Sequence, residues 1–137
     1  MVTEAELQEY ATYCGPQALA AIAGLSPTAA AAALVAAAEA MGEPAPKMST
    51  PRELLLRTLK ALRYDVDPLL GPGNGWRVGE LVRALPGDWL IILEPDDDGP
   101  AHAMAVRDGR VIAGEDRPGK YDGNLIRWAY HLTRREG

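Results

Sequence analysis

Reactive chemistry in this chain narrows to very few side chains. The 137 residues contain one cysteine, Cys14, and two histidines, His102 and His131. A thiol attacks as its thiolate, and a nearby imidazole can take the proton and later return it to a leaving group. One thiol and one imidazole therefore suffice for covalent acyl chemistry, provided the fold brings them together. Cys14 stands directly before Gly-Pro and an alanine-rich run, in YCGPQALAAIAG. Proline is accepted in the first turn of a helix and glycine suits its left-handed stop, so a helix is predicted from Cys14 to Gly24. The free N–H groups and dipole at such an N-terminus stabilise a thiolate. The competing reading is a small buried hydrophobe, the usual role of a lone cysteine. Of the two imidazoles, His131 falls deep in the last predicted strand, whereas His102 heads a strand after an acidic loop, where it can face a helix terminus across a cleft. His102 is the better base; its competing reading is a core histidine with its hydrogen bonds met.

The elements that must position this pair change character along the chain. The first half is rich in alanine and leucine, and the second carries short β-like runs between turns, which together predict an α+β fold. After the cysteine helix, Ser26 and Pro27 read as cap and first-turn proline of a second helix running to Gly42. Thr50-Pro51-Arg52-Glu53 has capping-box spacing and opens a third helix, PRELLLRTLKALRY, with Leu54, Leu55, Leu59 and Leu62 on one stripe. A shorter helix is predicted at VGELVRAL, ended by Pro86-Gly87, with Leu81, Val82 and Leu85 inward. The sheet then begins at WLIIL, residues 89 to 93, an apolar run with both faces buried. AHAMAV and RVIA flank an Asp108-Gly109 turn of the hairpin type, and NLIRWAYHL supplies the last strand with its register open. Tyr10, Tyr13, Trp76, Trp89 and Trp128 are read mainly as packing residues, with Tyr10, Tyr13 and Trp76 as alternative cleft liners.

Composition bounds the rest. A chain of 137 residues is the size of one domain, and one domain over 1–137 is expected. A net charge of −5, from 14 basic and 19 acidic residues, argues against a nucleic-acid partner, which requires a basic surface to neutralise phosphates. No stretch of about 20 apolar residues suggests a membrane span. The acidic opening MVTEAELQEY lacks the pattern of a secretory signal, and a single cysteine fits a reducing compartment, so a cytoplasmic location is expected. DDDG at 96 to 99 lacks the spaced ligands and closing glutamate of a calcium loop, and GPGNG at 71 to 75 lacks the setting of a phosphate loop and reads as a connection. No metal or cofactor is expected.

Two motifs carry a family resemblance. Gln8, five intervening residues, CGPQAL, and about ninety residues later HAMAVRDGRV resemble the papain-like cysteine peptidases, and more narrowly the double-glycine leader peptidases and compact papain-fold proteins of bacteria and phages. The resemblance implies a papain-like α+β fold, with N-terminal helices, the cysteine opening the central helix, and a small antiparallel sheet packed against it. It implies Cys14 as nucleophile, His102 as general acid and base, and Gln8 with the Cys14 backbone N–H as oxyanion donors. It also implies an acid or amide orienting the imidazole. Ala113 occupies the place where relatives often carry that acid, so Asp116 is the favoured orienter, with Glu115, or no acid, as alternatives. The expected activity is a cysteine peptidase-like hydrolase cleaving a peptide or isopeptide bond in a peptide or protein substrate. The alternative is a catalytically silent papain-fold binding protein of phage or bacterial origin, with its site eroded at the third position.

Overall fold

The computed structural model describes residues 2–94 and 102–135. Among these, α1 (Glu4–Tyr10), α2 (Cys14–Ala23), α3 (Pro27–Ala40), α4 (Arg52–Ala61), β1 (Tyr64–Leu70), α5 (Val78–Ala84), β2 (Asp88–Leu93), β3 (Ala103–Arg107), β4 (Arg110–Ala113) and β5 (Ile126–Arg134) follow in chain order. The strands form one antiparallel sheet in the order β1-β5-β2-β3-β4. The fold is thus mixed α+β.

Local chemistry accounts for most helix boundaries. Pro16 lies in the first turn of α2, and Gly24 closes it in the left-handed region at φ 70°. Ser26 accepts from the Ala29 N–H at 3.1 Å and caps α3 ahead of Pro27. The alanine-rich face of α3 buries Ala30, Ala31, Leu34 and Ala38, small side chains that let it lie close to its helical neighbours. Two expectations need correction here. Thr50 does not cap α4: its N-cap is Pro51, without a side-chain bond, and the Thr50 hydroxyl instead meets the buried Tyr10 hydroxyl. The third helix also stops at Ala61, and Arg63, at φ 71°, turns the chain so that Tyr64 opens a strand. On α4, Leu54, Leu55, Leu56 and Leu59 are buried, while Leu62 is half-buried.

Two elements were not anticipated. α1 is held by a capping box in which Thr3 accepts from the Glu6 N–H at 3.2 Å and Glu6 accepts from the Thr3 N–H at 3.1 Å. β1 alternates Tyr64 and Val66, which face the helix-side cluster, with the exposed Asp65 and Asp67, is interrupted by Pro68, and pairs with β5 from Tyr64↔Arg134 to Leu70↔Ala129. It sits at the sheet edge, where a proline without an N–H is tolerated.

The sheet is covered on both faces. β2 sends Leu90 and Ile92 into a cluster with α1 to α4, and Trp89, Ile91 and Leu93 into a second cluster with Val78 and Leu81 of α5. This explains the unbroken apolar run. Of the other residues expected to turn inward on α5, Val82 and Leu85 are half-buried against the second cluster. Along β5, Trp128, Tyr130 and Leu132 face the helices and Ala129 the other side, while a bulge opposite Ile92 and Leu93 carries Ile126 to the α5 side. Asp108 and Gly109, both at positive φ, close β3 onto β4 as the turn residues predicted. In the 71–75 connection, the Asn74 amide donates to Gly71 O and Ile126 O, both at 2.7 Å, which ties the loop to β5.

Candidate active site

Cys14 is the first residue of α2, and no side chain caps this helix. The Cys14 N–H instead bonds its own thiol. Gly15 is required by packing, since a Cβ there would lie 2.2 Å from Thr50 Oγ1 and 2.6 Å from Thr50 Cβ. α2 packs against β3 and β4. His102 directly precedes β3, and its carbonyl accepts from the Leu93 N–H at 2.9 Å, which pins its backbone to the end of β2. The sheet thereby presents the imidazole to the start of α2, where ring and thiol line one cleft and interact.

The other side of the ring meets the backbone. His102 Nε2 is hydrogen-bonded to the Gly114 carbonyl. A carbonyl oxygen only accepts, so Nε2 carries the proton and Nδ1 is left to exchange one with the thiol. Gly114 sits at φ 103°, and a Cβ there would fall 2.8 Å from Ala103 O and 2.9 Å from Met104 Cα. Only glycine lets the chain pass this close to β3 and aim its carbonyl at the ring. The Tyr121 ring lies tilted against His102, with centroids 4.7 Å apart and planes 32° apart, which restrains the imidazole further.

The electrostatics follow from these contacts. Burial pushes the Cys14 thiol up, but hydrogen bonds from His102, the Ala103 N–H and its own N–H, with the charge of His102, outweigh it and hold the thiol below its ordinary value. The bond with Cys14 raises the His102 pKa above the ordinary imidazole value, burial opposes it, and the Gly114 carbonyl adds to the rise. Each group favours the charged form of the other.

A cleft of about 340 Å³ opens over the pair, lined by Thr12, Cys14, Gln17, His102, Gly114, Glu115, Asp116, Lys120 and Tyr121. Cys14 and His102 are together, as the sequence reading has them. Gln8 is not in the cleft: residues 4–10 are helical, so no extended loop can curl its amide back, and Gln8 is exposed on α1. The carboxamide that does line the cleft belongs to Gln17, whose Nε2 donates to Ala11 O at 2.8 Å. Asp116 does not orient His102. It pairs with Lys120 at 3.1 Å and is largely solvent-exposed, and its carboxyl is held below the usual range chiefly by the hydrogen bond from Lys120. The ring nitrogen Nε2 is taken by the Gly114 carbonyl and no hydrogen bond joins Glu115 to His102 among the described residues; Glu115 Oε2 is buried without a hydrogen-bond partner.

The remaining aromatic and imidazole groups are structural. His131 packs on Trp89, with ring centroids 5.0 Å apart, and lies over Gly87, remote from Cys14. Tyr10 and Tyr13 pack in the helical layer, Trp76 joins the α5 cluster, and Trp128 lies under the Arg52 guanidinium, 4.0 Å from its centroid. Sequence reasoning missed Gln17, Gly114 and Tyr121. Gln17 was visible in CGPQ, whereas a backbone carbonyl has no residue type to announce it. Among the described residues, no group of three or more His, Cys, Asp or Glu is placed to hold a metal ion, and no single helix is long and apolar enough to cross a membrane. The acidic run at 96–99 lies outside the described residues. Comparison of the chain with family models, with curated proteins and with solved structures returned no match.

Proposed function

We propose that this chain is a thiol-dependent acyl hydrolase of the papain-like kind, cleaving a peptide or isopeptide bond through Cys14 and His102. The observation that carries the reading is the chain of contacts from the Cys14 thiol at a helix N-terminus, through the His102 ring, to the Gly114 carbonyl. In the reaction, Cys14 Sγ attacks the substrate carbonyl carbon, and the negative charge moves to its oxygen. The N–H groups of Cys14 and Gly15, at the uncapped start of α2, are the main-chain donors for that oxygen, and the second N–H of the Gln17 amide, whose first is held by Ala11 O, is the side-chain donor in the cleft. Imidazolium Nδ1–H then protonates the leaving amine as the C–N bond breaks, giving a thioester. Water, deprotonated by neutral Nδ1, attacks the thioester, and the thiolate leaves as the carboxylic acid forms. The Gly114 carbonyl accepts from Nε2–H throughout, holding the tautomer that these steps need. No step requires a cofactor, and a thiolate chemistry of this kind suits the reducing cytoplasm.

The rate of iodoacetamide alkylation against pH tests this proposal. Because the thiol is held below and the imidazole above their ordinary values, alkylation persists below the titration range of a free cysteine, about pH 8.5. His102→Ala moves the profile up toward the free thiol, and His131→Ala leaves it in place. A wild-type profile like that of a free cysteine removes the enzyme reading and leaves the silent binding protein.

A further inference from the structure

The charges in the cleft do not cancel. Thiolate and imidazolium offset each other at Cys14 and His102, and Asp116 and Lys120 offset each other at 3.1 Å. Glu115 remains. Its Oε2 is excluded from solvent and has no donor among the described residues, an arrangement that costs free energy until a donor or a positive charge arrives. Glu115 stands next in the chain to Gly114, so it lies beside the carbonyl that holds His102. It also lines a second depression, of about 220 Å³, running along Val111 to Pro118, where Arg117 is the cation on the wall; Arg117 is not among the residues lining the cleft over Cys14. Glu115 and Asp116 are common to the two hollows, which makes a groove leading from Cys14 to the outer edge of β4, the last strand of the sheet. Among the described residues no strand pairs with that edge, and an extended chain could pair there.

From the unpartnered Glu115 Oε2 and this groove we propose that Glu115 sets specificity, selecting peptide substrates that carry a cationic group, an ammonium or a guanidinium, beside the scissile bond. The proposal rests on the reading of Cys14 as the nucleophile. A cation at Glu115 supplies the donor that Oε2 lacks and neutralises the cleft over Cys14, and a substrate without a positive charge there leaves the Glu115 charge uncompensated in that cleft. Bound this way, the charged group anchors the substrate one step from His102 while the rest of the chain follows β4.

Short peptidyl chloromethyl ketones test it, since the Cys14 thiolate displaces chloride and forms a stable thioether. Probes of one length carry Lys, norleucine or Glu next to the reactive ketone, each with a free or an acetylated α-amine, and inactivation rates are divided by the iodoacetamide rate of the same protein. A single opposite charge in a partly buried cleft predicts about a fivefold advantage of Lys over norleucine in the wild type. Glu115→Gln brings that ratio to about one, and Glu115→Lys makes the Glu probe faster than the Lys probe. If the free α-amine gives the advantage instead of the side chain, the selected cation is a peptide N-terminus, and the same loss in Glu115→Gln is expected. Equal rates for all probes in the wild type, or an advantage that survives Glu115→Gln, overturn the assignment. Failure of the underlying enzyme reading shows separately, as the iodoacetamide profile of an ordinary thiol, and takes this inference with it.

Discussion

Replacing Gly114 by alanine tests the least conventional part of the site, an imidazole oriented by a main-chain oxygen. The added Cβ would stand 2.8 Å from Ala103 O and 2.9 Å from both Met104 Cα and Cγ. Two of these are backbone atoms of β3, which cannot step aside as a flexible side chain would. Overpacking of this kind costs about 1–3 kcal/mol. The backbone at φ 103° adds about 1–3 kcal/mol of strain for a residue with a Cβ. Even the lower sum, about 2 kcal/mol, is a sizeable part of the stability of a domain this size and lowers Tm by at least about 6 °C. Relief of the clash moves residue 114 away from β3 and its carbonyl away from His102. The imidazole then loses an influence that raises its pKa, and the acid limb of Cys14 alkylation shifts toward higher pH. Thermal unfolding by circular dichroism and the iodoacetamide profile are read on the same samples. Gly123→Ala is the control, because nothing lies within 4 Å of its Cβ position. A Gly114→Ala protein with wild-type Tm and an unchanged acid limb would refute the argument that glycine is needed to hold the ring.

Two further outcomes follow from the placement of the other predicted site residues. Asp116→Asn breaks the pair with Lys120 but leaves the Cys14 alkylation profile where it is, because Asp116 does not touch His102; a shift of the profile would restore Asp116 as the orienter. Gln8→Ala leaves turnover of a peptide substrate unchanged, whereas Gln17→Ala lowers it by about 10²–10³-fold with alkylation of Cys14 preserved, as loss of one oxyanion donor does. The reverse order of effects, measured as kcat, would return the oxyanion role to Gln8.

Signals that act over three or four residues were legible in the chain. Pro16 and Gly24 bound the helix that begins at Cys14, Ser26-Pro27 starts the next, and Asp108-Gly109 turns the hairpin, because each depends on conformations its own residues prefer. The same holds for WLIIL, whose unbroken apolar pattern requires cover on both faces. These local features already place a thiol at a helix N-terminus and an imidazole at the head of a strand. The Thr3–Glu6 capping box was equally local and was overlooked. Tertiary structure alone decided the rest. β1 is a strand because β5 supplies partners some 60 to 70 residues away, and its own signal, Tyr64 and Val66 alternating with Asp65 and Asp67, is short and broken by Pro68. Thr50 has cap spacing, but the Tyr10 hydroxyl and the closeness of Gly15 claim it for another contact. Gln8 and Asp116 have suitable groups at plausible spacings, and a helix in one case and Lys120 in the other keep them from the Cys14–His102 pair. What replaces the acid is a carbonyl, a group that every residue carries, so its role arises only where the return from β4 brings residue 114 against the ring that residue 102 presents.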